Sequence, residues 1–175
     1  MALTKPNQSM IQDGQWVFDT VADMVAEQYI PVGARAKTYG YHSVGDGGGN
    51  DYLIVAAATG THDGGSYIDL NTHQAQGLFS DGYVWNQFGA KGDAFTDNAS
   101  PTDDTAAMQA MLDYLSSLDK KFHETDRNDD GGKYQRPLVK VKSALGAVYG
   151  MGSGVTLNNG NRGMVIDGGS FRTRS

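Results

Sequence analysis

Val84-Trp85-Asn86-Gln87-Phe88-Gly89-Ala90-Lys91-Gly92-Asp93, continued by Thr102-Asp103-Asp104-Thr105-Ala106-Ala107-Met108-Gln109-Ala110-Met111-Leu112, is the stretch on which the reading of this chain turns. Its second half predicts an amphipathic helix from about Asp103 to Leu118. Ala107, Met108, Met111, Leu112 and Leu115 recur at helical spacing and form one apolar stripe made for burial. Thr102 is the predicted N-cap. Asp103 and Asp104 then fall in the first turn, where the amide dipoles favour each carboxylate by a few tenths to ~1 kcal/mol. An adjacent Asp pair can also signal a metal or acid–base site. At a helix start followed by apolar residues, capping is the reading adopted.

Downstream, Asp119 to Pro137 is the most polar part of the chain and reads as an exposed loop. Within it Asp126, Asn128, Asp130 and Gly131 match the first half of a calcium loop. The bidentate Glu such a loop needs at its twelfth position is replaced by Pro137, so no metal is expected. Leu138–Lys142, Gly154–Leu157 and Gly163–Ile166 follow as short β-forming runs. They are separated by Gly146, Gly150 to Gly154 and Asn158-Asn159-Gly160-Asn161. Brief strands with glycine or asparagine corners are what a parallel β-solenoid uses. Gly169-Ser170-Phe171-Arg172-Thr173 lies just before the last residue, which leaves at most two coils where three or more are usual. Either the chain is cut short or its last part packs against neighbouring chains. Asp167 stands alone beside Gly168-Gly169 and reads as a turn residue.

Upstream, Asp19 to Gln28 predicts a short helix capped by Asp19 or Thr20. Val21, Met24, Val25 and Gln28 share one face, and Pro31 ends it. Ala34–His42, Asp51–Ala56, Ser66–Leu70 and Ala75–Phe79 are strand candidates, divided by Gly45-Asp46-Gly47-Gly48-Gly49 and His62-Asp63-Gly64-Gly65. Their regular spacing predicts a small antiparallel sheet or barrel, with the helix over one face or open end. The glycine clusters are not phosphate loops. Such a loop ends in Gly-Lys-Ser/Thr before a helix, whereas Gly49 leads into Asn50-Asp51-Tyr52 and a strand.

Composition narrows the field further. Glycine takes 24 of 175 positions, about twice the usual share, which fits a turn-rich β chain. Cysteine is absent, which removes disulfides, thiol catalysis and thiolate metal sites. The formal net charge of −6 argues against a nucleic-acid binder. No stretch approaches the roughly 20 apolar residues of a membrane-spanning helix. Met1 to Gln15 has neither the apolar run nor the charge pattern of a targeting segment, so synthesis in a cytoplasm is expected. Pro6, Asn7, Gln8 and Gly14 suggest an extended arm, frayed or ordered on a partner. Trp16, Val17 and Phe18 beside it are either core or a contact with a neighbouring subunit. Trp85 reads as an interdomain packing residue.

The run from Val84 to Asp93 and the run from Thr102 to Leu112 together resemble the FGAKGD…TDDTAAIQAAL opening of pectate-lyase-like β-helix domains, in which a capping helix closes the first coil. Thr20-Val21-Ala22-Asp23-Met24, Val32-Gly33-Ala34 and Gly45-Asp46-Gly47-Gly48-Gly49-Asn50-Asp51-Tyr52 resemble the small anchor domain that precedes such a β-helix in bacteriophage tailspikes. The likeness spans about Thr20 to Arg172. It departs at Ala94, where the pattern has Gly, at the lengthened Asn98-Ala99-Ser100-Pro101 loop, and at the long polar loop after the helix.

The resemblance implies a mainly β fold with two short helices. A small antiparallel anchor domain is followed by a capping helix and the first coils of a right-handed parallel β-helix. The corresponding divisions are an arm at 1–18, the anchor at 19–84 and the cap with first coils at 85–175. It also implies a homotrimer in the virion tail, attached to the tail, baseplate or another tailspike. Lys5, Gln8, Met10, Trp16 and Phe18 are then candidates for docking or trimer contact. Thr102, Asp103, Asp104, Ala107, Met108, Met111, Leu112 and Leu115 are the candidates for capping. Host surface polysaccharide would be bound and cleaved by a distal part, with no cofactor. Residues 138–175 offer no persuasive carboxylate pair for glycosidic hydrolysis, so no turnover is expected of these residues alone.

Two other classes stay open. One is a carbohydrate-binding or adaptor protein stacking sugars on Tyr39, Tyr41, Tyr52 and Tyr67. The other is the front of a polysaccharide lyase or hydrolase.

Overall fold

Along Gln15 to Phe18 burial alternates, with Trp16 and Phe18 turned inward, as a half-buried strand requires. The computed structural model describes residues 11–12, 14–80, 82–95, 98–125, 139–156 and 164–173, with backbone alone at 11, 12, 119–125 and 164. A mixed sheet comes first. Its strands are β1 (Ile11–Gln12), β2 (Gln15–Phe18), β3 (Arg35–Thr38), β4 (Asp51–Ala56), β5 (Tyr67–Asp69) and β6 (His73–Gly77), in the order β1-β2-β3-β4-β6-β5.

The first helix, α1 (Val21–Ala26), lies between β2 and β3 in the chain. Thr20 Oγ1 accepts the Asp23 amide at 3.2 Å and Asp23 accepts the Thr20 amide at 3.1 Å. This reciprocal cap is worth about 1 kcal/mol. β2 and β3 run parallel, which a tight turn cannot achieve. Helix α1 is the crossover that brings the chain back. It buries Val21 and Met24 against Trp16, Phe18, Ile30, Ala36, Tyr52, Ile54, Ile68 and Ala75, the core of this globule.

The second unit is a parallel stack. β7 (Tyr83–Val84) leads into a 3-10 turn at Trp85–Phe88, then a long helix α2 (Thr105–Thr125), followed by β8 (Val139–Lys142), β9 (Val148–Met151), β10 (Met164–Asp167) and β11 (Ser170–Thr173). β8 pairs in parallel with both β7 and β10. β11 pairs in parallel with β9, and Asp93 adds a parallel bridge to Val148. The described strands therefore form two ladders climbing through three levels, at 83–93, 139–151 and 164–173. They do not amount to a closed coil.

Several expectations need correction. The sheet is mixed, because the βαβ crossover makes β2 and β3 parallel. Helix α1 ends at Ala26, well before Pro31; Glu27 turns extended, and Ile30, 3% exposed, is carried into the core. Val25 and Gln28 stay on the outside. Helix α2 is not short, and it takes up the start of the stretch read as loop. Lys120, Lys121 and Glu124 are good helix formers, and no Gly or Pro intervenes before Gly131. Among the described residues Gly154–Thr156 is not strand, whereas Val148–Met151 is. Asp167 closes β10, where its carboxylate meets Lys140 at 2.6 Å. The Lys140 hydrogen bond and charge hold Asp167 below the ordinary carboxylate value. The sheet reaches back to Ile11, inside the expected arm, and β7 belongs to the stack rather than to the anchor.

Candidate functional site

The start of α2 is where the chain's parts converge. Asp104 is 1% exposed, and its carboxylate accepts three backbone amides: Lys91 at 2.7 Å, Gly92 at 3.2 Å and Gly150 at 3.1 Å. Its own amide donates to the Gly150 carbonyl at 2.7 Å, and its carbonyl accepts from Met108 at 3.0 Å. One side chain thus ties the linker, the helix start and β9 together. A buried carboxylate survives there because its oxygens are met by N–H donors.

Asp103 faces outward and caps the helix, accepting the Thr105 amide at 3.0 Å and the Gly152 amide at 3.0 Å. Thr102 is not the N-cap. Its amide and hydroxyl both donate to Asp93, at 2.7 and 2.9 Å, and brace the preceding loop. The Asp pair therefore divides its labour, because only one of two adjacent residues can turn inward at a helix start.

Further along α2, Met108, Met111, Leu112 and Leu115 are buried, with Ala107 packed against them. They share one cluster with Trp85, Phe88, Val141 and Tyr149. Trp85 and Phe88 follow β7 of the first level, and Val141 and Tyr149 belong to the middle level, so the stripe packs against the first two levels of the stack. Gln109 adds a polar seam. Its Oε1 accepts the Thr156 amide at 2.6 Å and its Nε2 donates to the Thr156 carbonyl at 3.2 Å. Asn86, 1% exposed, accepts the Tyr149 hydroxyl at 2.6 Å. Burial pushes the Tyr149 hydroxyl pKa up, against the hydrogen bonding at Ala144 and Ser143.

Other carboxylates do similar structural work. Asp46 accepts the amides of Tyr41, His42, Ser43 and Gly48. Partial burial pulls its pKa up, but these four N–H groups outweigh that and leave it below the ordinary value. Asp63 accepts the amides of Gly65, Ser66 and Tyr67 and the Ser66 hydroxyl. Among the described residues no cluster of three or more His, Asp or Glu is placed to hold a metal ion, and no helix is long and apolar enough to cross a membrane.

Of the docking candidates, Trp16 and Phe18 are 8% and 3% exposed in the globule's own core. Their alternation along β2 aims both inward, so the side chains are not presented to a neighbour. Lys5, Gln8 and Met10 lie outside the described residues, as does the calcium-like run at 126–131. The sugar-stacking tyrosines are scattered. Tyr52 is fully buried, Tyr41 packs against the core, and Tyr39 is 45% exposed. Tyr67 lines a cleft of about 350 Å³ with Asp63, Ser66, Gln76 and Tyr114. A second cleft, of about 310 Å³, lies among Lys37, Tyr39, Asn50, Ser80 and Gln87. Sequence reading missed Asn86, Gln109 and the inward role of Asp104.

No family model and no curated protein matches the chain. Solved structures do. A tailspike protein gp49 from Acinetobacter baumannii bacteriophage Fri1, a capsular polysaccharide depolymerase, superposes with a TM-score of 0.58 at 18% identity, over 86% of this chain and 22% of that one. Pantoea stewartii WceF, a glycan biofilm modifying enzyme with a tailspike-like parallel β-helix fold, gives 0.49 at 17% identity, over 78% and 20%. The chain spans about a fifth of the length of these neighbours. At such identity the first of them supports the fold.

Proposed function

We propose that this chain is the proximal part of a tailspike-like protein. In this reading the mixed sheet attaches the molecule to the virion tail, and α2 caps the start of a longer parallel β stack that handles host surface polysaccharide. The observation that carries the reading is the position of the α2 stripe. Met108, Met111, Leu112 and Leu115 pack with Trp85 and Phe88 beside the first level and with Val141 and Tyr149 of the next, with the globule directly ahead in the chain.

At the opposite end the outermost level keeps an open edge. Val165, Ile166 and Phe171 are 38–43% exposed there, as suits a surface on which another level stacks. Homotrimerisation belongs to the same proposal. Val25, Tyr29 and Val32 are large apolar groups left 38–54% exposed on the α1 side of the globule, and shared burial among three copies would cover such groups. Attachment rather than turnover is the role assigned, and among the described residues Asp46, Asp63, Asp93, Asp103 and Asp104 are engaged in holding backbone amides.

Light scattering on the purified chain reads the assembly, and a trimer is expected. A monomer at micromolar concentration overturns the trimer. Incubation with purified capsular polysaccharide, followed for new reducing ends or unsaturated products, reads turnover. None is expected, and release of oligosaccharide would replace this reading with that of an enzyme.

A further inference from the structure

The seam between globule and stack is lined by glycines on both sides. A Cβ at Gly48 would lie 2.5 Å from the Asn86 carbonyl oxygen and 2.6 Å from Tyr41 Cβ. A Cβ at Gly47 would lie 2.7 Å from that of Ala144, and one at Gly65 would enter the Phe88 ring. From the far side, Gly89 has φ +93° and presses its backbone against the Tyr41 ring, where a Cβ would come within 3.0 Å. None of these four positions has room for even a methyl group without displacing its neighbours.

Polar and aromatic contacts cross the same seam. His42 Nε2 donates to the Gly89 carbonyl at 2.8 Å. Phe79 stacks on Phe88 with ring centroids 5.5 Å apart and meets Tyr114 of α2 at 5.4 Å. Phe79 holds φ +47°, a left-handed backbone that a bulky residue adopts only where its surroundings enforce it. It stands between β6 and β7, where a hinge would have to be. The same loop that Asp46 organises, residues 41–48, supplies Tyr41, His42, Gly47 and Gly48 to the joint.

We infer that globule and stack form one rigid body, locked by this glycine-lined joint, so that the direction of the β stack is fixed relative to the attachment globule. The inference rests on the attachment reading for its use, which is a mount without a hinge, but not for its geometry. A flexible tether leaves room at the crossing point and breaks few contacts when it bends. Here bending would open four close backbone approaches and an aromatic stack together.

The test uses the absence of native cysteine. Val32→Cys on the globule and Leu145→Cys on the stack, 54% and 106% exposed, carry spin labels, and the labelled chain is diluted with unlabelled chain so that only intrachain distances are read by pulsed dipolar spectroscopy. A single narrow distance peak is expected. Gly65→Ala should abolish it by forcing the seam apart, whereas Gly154→Ala, with nothing within 4 Å of the added carbon, should leave it intact. If Gly65→Ala fails to fold, His42→Ala, which removes the bond to Gly89 and the ring contact with Tyr41, should still broaden the peak. A broad or split distribution in the parent, or a narrow peak retained in both seam variants, overturns the joint. A broad distribution in a chain that still trimerises would refute the joint while sparing the trimer of the proposed function, and a monomer with a narrow peak would do the reverse.

Discussion

Replacing Asp104 by Asn changes one oxygen for an amide nitrogen at the point where linker, helix and β9 meet. In the native chain one carboxylate oxygen takes the Lys91 amide and the other takes those of Gly92 and Gly150. Whichever way the carboxamide is turned, at most two of the three bonds survive, and an NH2 group faces at least one backbone N–H. A buried donor left without its acceptor costs about 1–3 kcal/mol, so Asp104→Asn should lose about 2 kcal/mol. Asp104→Ala, which strips all three, should lose about 3–5 kcal/mol. With a urea m-value of about 2 kcal/mol/M, the Asn variant's midpoint should fall by about 1 M. Asp103→Ala is the contrast, because an exposed cap is worth about 1 kcal/mol. Hydrogen exchange adds a local readout, with protection lost first at Lys91, Gly92 and Gly150. An Asp104→Asn midpoint equal to that of the parent, or unchanged protection at those three amides, refutes the tie.

Acid should weaken the fold partly through Asp46. Its folded pKa lies below the ordinary 3.8, so its contribution is present above that value and drains away as pH falls through the folded pKa. Urea midpoints measured from pH 5 downward should decline, and Asp46→Asn should flatten that decline; an identical slope in the variant counts against it. At the alkaline end the sign reverses. Burial raises the hydroxyl pKa values of Tyr41, Tyr52, Tyr83, Tyr114 and Tyr149 above the ordinary 10.0, so above pH 10 the unfolded chain sheds protons that the folded chain keeps, and stability falls. Phenolate absorbance should therefore rise in two steps, the second coinciding with loss of circular dichroism, and a single step completed in the folded state would contradict that burial. Gln109→Leu keeps the helix but removes both bonds to Thr156, with an expected loss of about 1–2 kcal/mol and faster exchange at the Thr156 amide; unaltered exchange there would dismiss the seam.

What the sequence disclosed follows from how local each signal is. Asp51 to Ala56 is a short run of aromatic and branched apolar residues after a glycine cluster, and β4 occupies those same residues. The α2 stripe was equally legible, since helical spacing is a property of one segment. Parallel pairing of β2 with β3 was not, because a period of two is the same in either direction; only the helix wedged between them betrays it. β9 escaped because Gly150 reads as a break. In the fold that glycine is buried, and its amide and carbonyl are both held by Asp104. Asp104 itself looked like a second cap, since nothing near it in the chain announces partners at 91, 92 and 150. The seven residues from Asp119 to Thr125 were misjudged by giving polarity more weight than helix propensity.

The carboxamide of Gln109 offers Thr156 one acceptor and one donor, just as a peptide unit of an adjoining strand would. A naked ladder edge recruits any passing strand. Here the segment that follows β9 meets a side chain that imitates a peptide but has no next residue to offer. Pairing at Thr156 is thereby closed off by a counterfeit that cannot be extended.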